Sequence, residues 1–279
     1  MLWFGRREKH FLEPEQEDWL LETFAWLAKQ LGGLEALSAR PIVLPSRMFF
    51  PSTDLAGHAK AEFVLDCIRR QMGMLEWPCN LVVQPERLGT RIPGMTYATV
   101  FSVGHVAGTF SLSGNGADIT YDPANIDQPW RLIATLAHEL AHYRLSALPE
   151  PPPGGPDMLE PATDLTTILF GFGLFGANTA FEFRGHQDFQ SQGWSTSRLG
   201  YLRERDWIFG LALFLTVGDK PCGLLRPYLK DHLWGPAGRT QIHPQPRPPH
   251  SALACLVMIS ARRWRYSARR HCWSEQIVA

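Results

Sequence analysis

Leu136-Ala137-His138-Glu139-Leu140-Ala141-His142-Tyr143 carries the strongest chemical signal in this chain. Two histidines four residues apart on a helix project from one face, one turn from each other. At that spacing both imidazoles reach a single zinc ion at tetrahedral angles. Glu139 follows the first histidine directly, so it sits beside the metal without being forced to bind it. There it can take a proton from a zinc-bound water, whose pKa the metal lowers to about 7. Ile133, Ala137, Leu140 and Ala141 supply apolar or small positions around the motif, which lets the helix be buried on several sides. A buried helix is a rigid platform for a metal. The chain has ten histidines, and a chance H-E-x-x-H is expected only about 0.02 times at this composition, so the motif is specific.

A third ligand has to come from elsewhere. The extended pattern with Gly at the third residue after the second His, and His at the sixth, is excluded, because Leu145 and Leu148 stand there. Glu160 follows His142 by eighteen residues and Asp164 lies one turn further on. Asp157 and Glu150 are other acids within reach. H-E-x-x-H followed by this E-x-x-x-D resembles the gluzincin metallopeptidases, the group that includes thermolysin and the zinc aminopeptidases. The resemblance covers residues 133–164. It implies that Glu160 is the third zinc ligand and that Asp164 holds a ligand histidine through its other ring nitrogen, which fixes the tautomer. It also implies that the edge strand of a sheet, here the strand at 118–121 that precedes the zinc helix, aligns a peptide substrate by β-addition. Pro161 departs from the pattern; proline is tolerated in a first helical turn, so Glu160 must stand near a helix start.

Other site positions are carried by weaker signals. A tetrahedral oxyanion needs a donor besides the metal, and Tyr201, His186, Arg184 and Tyr143 are the candidates, with Tyr201 and His186 placed in the catalytic set. Asn178, eighteen residues beyond Glu160, falls on a similar face if one helix runs through both. Gly171-Phe172-Gly173-Leu174-Phe175-Gly176 fits G-x-G-x-x-G, but it lacks the preceding strand a dinucleotide site requires, so these glycines are read as close helix packing. His58, His105 and His232 stand alone and are read as ordinary core or surface residues.

Working outward, the remaining pattern predicts an α+β, zincin-like fold: an N-terminal mixed α/β region with a sheet, packed on a C-terminal helical region. Apolar residues make up 45 % of the 279 residues, enough for a sizeable core. Helical spacing marks residues 15–31, and Ser52, Thr53 or Asp54 can cap a helix ending near Met72. Ile42-Val43-Leu44 between two prolines and Leu81-Val82-Val83 read as strands. The pattern from residue 96 to 121 is strand-like, with Gly114-Asn115-Gly116 as a hairpin turn between 109–113 and 118–121. Asp127 can cap the zinc helix, with Pro129 in its first turn. Asp157 can cap a helix continuing to about Phe183. Further helices cover about 202–217 and 224–233. The domains read as 1–127, 128–238 and a proline-rich, basic tail at 239–279.

The net charge of zero argues against a nucleic-acid partner. Cys67, Cys79, Cys222, Cys255 and Cys272 are scattered without a C-x-x-C, which fits a reducing compartment, and the N-terminus lacks a secretory pattern; a cytoplasmic protein is expected. The apolar stretches 165–181 and 207–217 read as core helices rather than membrane spans. The expected activity is hydrolysis of a peptide or protein substrate by zinc-activated water, with Glu139 as general base. The rival is a non-catalytic zinc-stabilised zincin-fold protein acting as a binding or regulatory module, although a structural site has no use for Glu139.

Overall fold

The computed structural model describes residues 11–84, 108–114, 116–185 and 202–234. Pro14, with Glu15 and Glu17 in the first turn, starts helix α1 (Pro14–Gln30), where acids meet the positive end of the helix dipole. Its apolar stripe buries Leu20, Phe24 and Leu27. Gly32, at φ 103°, turns the chain into α2 (Gly33–Ala39). The segment Ile42-Val43-Leu44 is buried at Ile42 and Val43 but joins no sheet. Its backbone is satisfied elsewhere: the Val43 N–H donates to the Gly171 carbonyl at 3.0 Å. Helix α3 (Gly57–Met72) begins after Ala56 without a side-chain cap, so Ser52, Thr53 and Asp54 do not fill that role, and Gly73 at φ 68° closes it.

Three strands make a mixed sheet in the order β1-β3-β2: β1 (Cys79–Val83), β2 (Gly108–Ser113) and β3 (Gly116–Tyr121). β1 runs parallel to β3, with Leu81 opposite Ile119. β2 runs antiparallel to β3 and closes the predicted hairpin with Ser113 opposite Gly116. Ala117, Ile119 and Tyr121 alternate into the core. That face packs on α4 (Pro129–Ser146), which also contacts α3. Asp127 does not cap α4; it is exposed beside Lys60, and the helix follows Gln128 directly with Pro129 in its first turn.

Beyond the proline loop, α5 (Leu159–Leu169) and α6 (Gly173–Gly185) cover the other side of α4. The continuous helix expected from Asp157 to Phe183 is therefore two helices. Gly171 breaks it at φ 90°, where a Cβ would strike the Pro41 carbonyl oxygen. α7 (Glu204–Val217) packs on α5 and α6. The glycine run does serve packing: Gly173 lies under Leu211 and Gly176 under the Trp207 ring. Instead of a helix over 224–233 the chain forms a 3-10 turn at Cys222–Leu225 and one helical turn from residue 231. Among the described residues one hydrophobic core extends from Leu12 to Leu233 and includes residues of the sheet and of helices α1 to α7. Among the described residues no helix is long and apolar enough to cross a membrane. The tail at 239–279 lies outside the described residues.

Candidate metal centre

Almost every residue of α4 from Leu132 to Leu145 is buried, because the helix lies between the sheet and α5–α6. His138 and His142 therefore project into the seam between α4 and α5. Glu160 meets them from the first turn of α5, where the helix dipole favours a carboxylate and Pro161 is tolerated. Glu160 Oε2 lies 3.3 Å from His138 Nε2 and 3.4 Å from His142 Nε2. The two Nε2 atoms are 3.0 Å apart. The three side chains thus form a largely buried group able to hold a metal ion, one ligand atom from each. Asp157, in the 3-10 turn Pro156–Met158, and Glu150, on the proline loop, are the alternative acids; both are exposed and belong to no such group among the described residues.

Both imidazoles are fixed from behind by α5. His138 donates its Nδ1–H to Asp164 Oδ1 at 2.9 Å, and Asp164 Oδ2 accepts the Leu202 backbone N–H at 2.8 Å. Thr163 does the same for His142. Its hydroxyl donates to the Leu159 carbonyl, which leaves the oxygen to accept His142 Nδ1–H at 3.2 Å. In both rings Nε2 then faces the ligand triangle. Thr163 was not among the residues picked out from the sequence. Its signal was its place three residues after Glu160, on the same helix face. Phe110 was also missed; its ring lies parallel to that of His142 with centroids 6.3 Å apart.

The local field favours positive charge at this point. Burial alone disfavours the His138 imidazolium, but hydrogen bonds to Asp164 and Glu160 and the nearby Glu139 charge outweigh it, and its pKa is pushed up to about 10. Glu160 is raised by burial yet falls well below the usual carboxylate range, because both histidines hydrogen-bond it. Glu139 moves the other way. Burial raises its pKa, and the charges of His138 and His142 only partly pull it back. It is 6 % exposed. Gly108, the first residue of β2, presses against it, and a Cβ there would come within 3.1 Å of Glu139 Cγ.

The remaining candidates separate clearly. Tyr143 turns its hydroxyl to the Pro78 carbonyl at 3.2 Å and packs on Trp77. Asn178, on α6 rather than on the helix of Glu160, bonds the Tyr228 carbonyl and the Lys230 N–H, tying the chain past α7 to the helical layer. His58 pairs with Tyr121 and Glu62, and His232 with Glu204. Tyr201, His186, His105 and the Arg184 side chain lie outside the described residues. A pocket opens beside Glu139, and its walls come from α4, α5, α6, α7 and Leu202, with Gly108 the one sheet residue among them, so it lies within the helical layer rather than between sheet and helices. No family model, curated protein or solved structure matches the chain.

Proposed function

We propose that the protein is a zinc-dependent metallopeptidase with a zincin-like, gluzincin-type centre. The observation that carries this reading is the near-equilateral triangle of His138, His142 and Glu160 ligand atoms, with edges of 3.0, 3.3 and 3.4 Å. Tetrahedral zinc with bonds of about 2.0–2.1 Å separates its ligand atoms by about 3.3 Å. Two imidazoles and one carboxylate, each imidazole held by an acceptor at its second nitrogen, are a donor set that suits this metal. Three protein ligands are also the number that catalytic zinc sites use.

Zinc bound there supplies Lewis-acid polarisation of a substrate carbonyl and of water. The side chains do the rest. Glu139, buried and raised above an ordinary carboxylate, accepts the proton of the attacking water as its oxygen adds to the carbonyl carbon. It then returns that proton to the amine nitrogen as the C–N bond breaks, so acid and amine are released and Glu139 is regenerated. β2 is one of the two edges of the described sheet, and it passes directly over Glu139 and His142 at Gly108 and Phe110. An extended peptide added there would place its backbone beside the base. β3 cannot do this, since it is the central strand.

The non-catalytic reading draws on the deep burial of His138 and Glu139, 8 % and 6 % exposed. Glu139→Gln separates the two readings, because Gln keeps the shape and cannot accept the proton. A mixed peptide library incubated with the zinc-loaded parent should be cleaved, and the Gln variant should keep its zinc and lose about 10²–10⁴-fold in rate. Zinc-loaded parent protein that cleaves nothing rejects the peptidase.

A further inference from the structure

Leu202 donates its backbone N–H to Asp164 Oδ2 at 2.8 Å, across a separation of 38 residues. Asp164 Oδ1 takes the His138 Nδ1–H at 2.9 Å, so the Leu202 amide is part of what holds that imidazole. Leu202 lies just before α7, whose N-cap is Arg203 at φ −75° and ψ 160°. An amide ahead of a helix has no place in its hydrogen-bond ladder, so the path by which the chain enters the helix decides where it points. The next amide is held as well. The Arg203 N–H donates to Asp206 Oδ2 at 2.9 Å, and the Arg203 Nε–H to the same oxygen at 3.1 Å. An acid at the third helical position that reaches back to the N-cap amide is a known capping device. Arg203 itself carries no acceptor with which to cap the helix. Two consecutive amides are therefore gripped by two buried carboxylates, one of them next to the metal centre.

Helix capping alone does not account for Asp206. It is 2 % exposed, and its Oδ1 has no partner among the described residues. A buried carboxylate with one bare oxygen is costly, and serine, threonine or asparagine at the N-cap would satisfy the helix start without burying a charge. Glu204, in the same turn, already places an acid at the positive end of the helix dipole, and it does so from a part-exposed side chain paired with His232. Glu204 does not hold the Arg203 amide. We propose that Asp206 is a positioning residue of the metal centre: by holding the Arg203 amide it aims the Leu202 amide at Asp164, and through Asp164 it sets the His138 imidazole. The proposal rests on the zinc centre of the reading above and gives it an input from α7. Such coupling is reciprocal. Zinc on His138 tightens the start of α7, and loosening that start weakens zinc.

The test uses the full-length chain, stripped of metal and titrated with zinc against a chromophoric chelator. Asp206→Ala should weaken zinc about fivefold, the worth of one lost hydrogen bond. Asp206→Asn should restore the affinity of the parent, because its carboxamide oxygen still accepts the Arg203 N–H. Glu204→Ala, which alters the same turn without touching that amide, should bind zinc like the parent. Asp164→Ala leaves the Leu202 amide without its acceptor, so adding Asp206→Ala to it should cost no further affinity. A merely structural role would lower the denaturation midpoint without producing this pattern. A second measurement needs no variant: in the parent, zinc should slow hydrogen exchange at the Leu202 and Arg203 amides together, read by NMR. Parent-like affinity in Asp206→Ala, an equal loss in Glu204→Ala, a further loss in the Asp164→Ala background, or exchange at both amides that ignores zinc overturns the positioning role and leaves the metal centre standing. Parent protein that takes up no zinc overturns the centre and this proposal with it. Zinc-loaded parent that cleaves no peptide rejects the peptidase alone, and the zinc titrations still decide the role of Asp206.

Discussion

Asp164 spends both carboxylate oxygens on buried donors, His138 Nδ1–H at 2.9 Å and Leu202 N–H at 2.8 Å. Asp164→Asn keeps the volume but offers one acceptor oxygen to two donors. The amide NH₂ must then face either the imidazole N–H or the backbone N–H. Hydrogen bonds to a charged group contribute about 1.5–3 kcal/mol each, and those between neutral groups about 1 kcal/mol. Replacing a carboxylate that orients a metal-ligating histidine weakens metal binding about 10–100-fold, equivalent to about 1.4–2.7 kcal/mol. Thr163→Val provides the internal comparison. It removes a neutral contact of 3.2 Å at His142, so it should weaken zinc only about fivefold. The assay is competition between the metal-stripped proteins and a chromophoric chelator at fixed pH and ionic strength. The expected order of affinity is parent, then Thr163→Val, then Asp164→Asn. Asp164→Asn protein with the affinity of the parent, or Thr163→Val weaker than Asp164→Asn, would refute the claim that these α5 acceptors set the two imidazoles.

Purified protein should carry about one zinc per chain, the complement of one three-ligand site, and elemental analysis should find it lost in His138→Ala, His142→Ala and Glu160→Ala; undiminished zinc in the histidine variants contradicts the site. Asp157→Ala and Glu150→Ala should bind zinc like the parent, since both acids lie away from the triangle; loss of zinc in either would mean that the wrong acid has been assigned. Gly171→Ala should cost about 2 kcal/mol or more in urea denaturation, because the residue sits at φ 90° and its new Cβ meets the Pro41 carbonyl oxygen, and an unchanged midpoint would show that the break between α5 and α6 tolerates a side chain.

What could be read from the sequence followed the range over which the physics acts. The motif on α4 was legible because ligand chemistry fixes spacing within a helix: His138 to His142 is one turn. The acids on α5 were reached through the resemblance, with Asp157 and Glu150 open beside Glu160, and it is the packing of α5 on α4 that brings Glu160 to the two histidines. The hairpin at Gly114 was legible because a two-residue connection demands a turn residue tolerant of positive φ. Two of the errors fell where a distant segment decides. Nothing local distinguishes Ile42-Val43-Leu44 from a strand; its backbone partner is the carbonyl of Gly171, far along the chain. The same contact explains the second error. Gly171 reads as one glycine in an apolar helical run, and only the approach of Pro41 shows why the chain must break there. Asn178 was misplaced as a consequence, since its face was counted along a helix that ends before it. Thr163 escaped notice for a different reason. A threonine in a helix is usually satisfied by its own backbone, as Thr163 is, and the lone pair it turns to His142 appears only once α4 and α5 are packed together. The second partners of a metal site therefore depend on the helix crossing even where its ligands do not. Thr135 makes the converse point, for its helical position predicts a bond to its own backbone that the packed structure lacks.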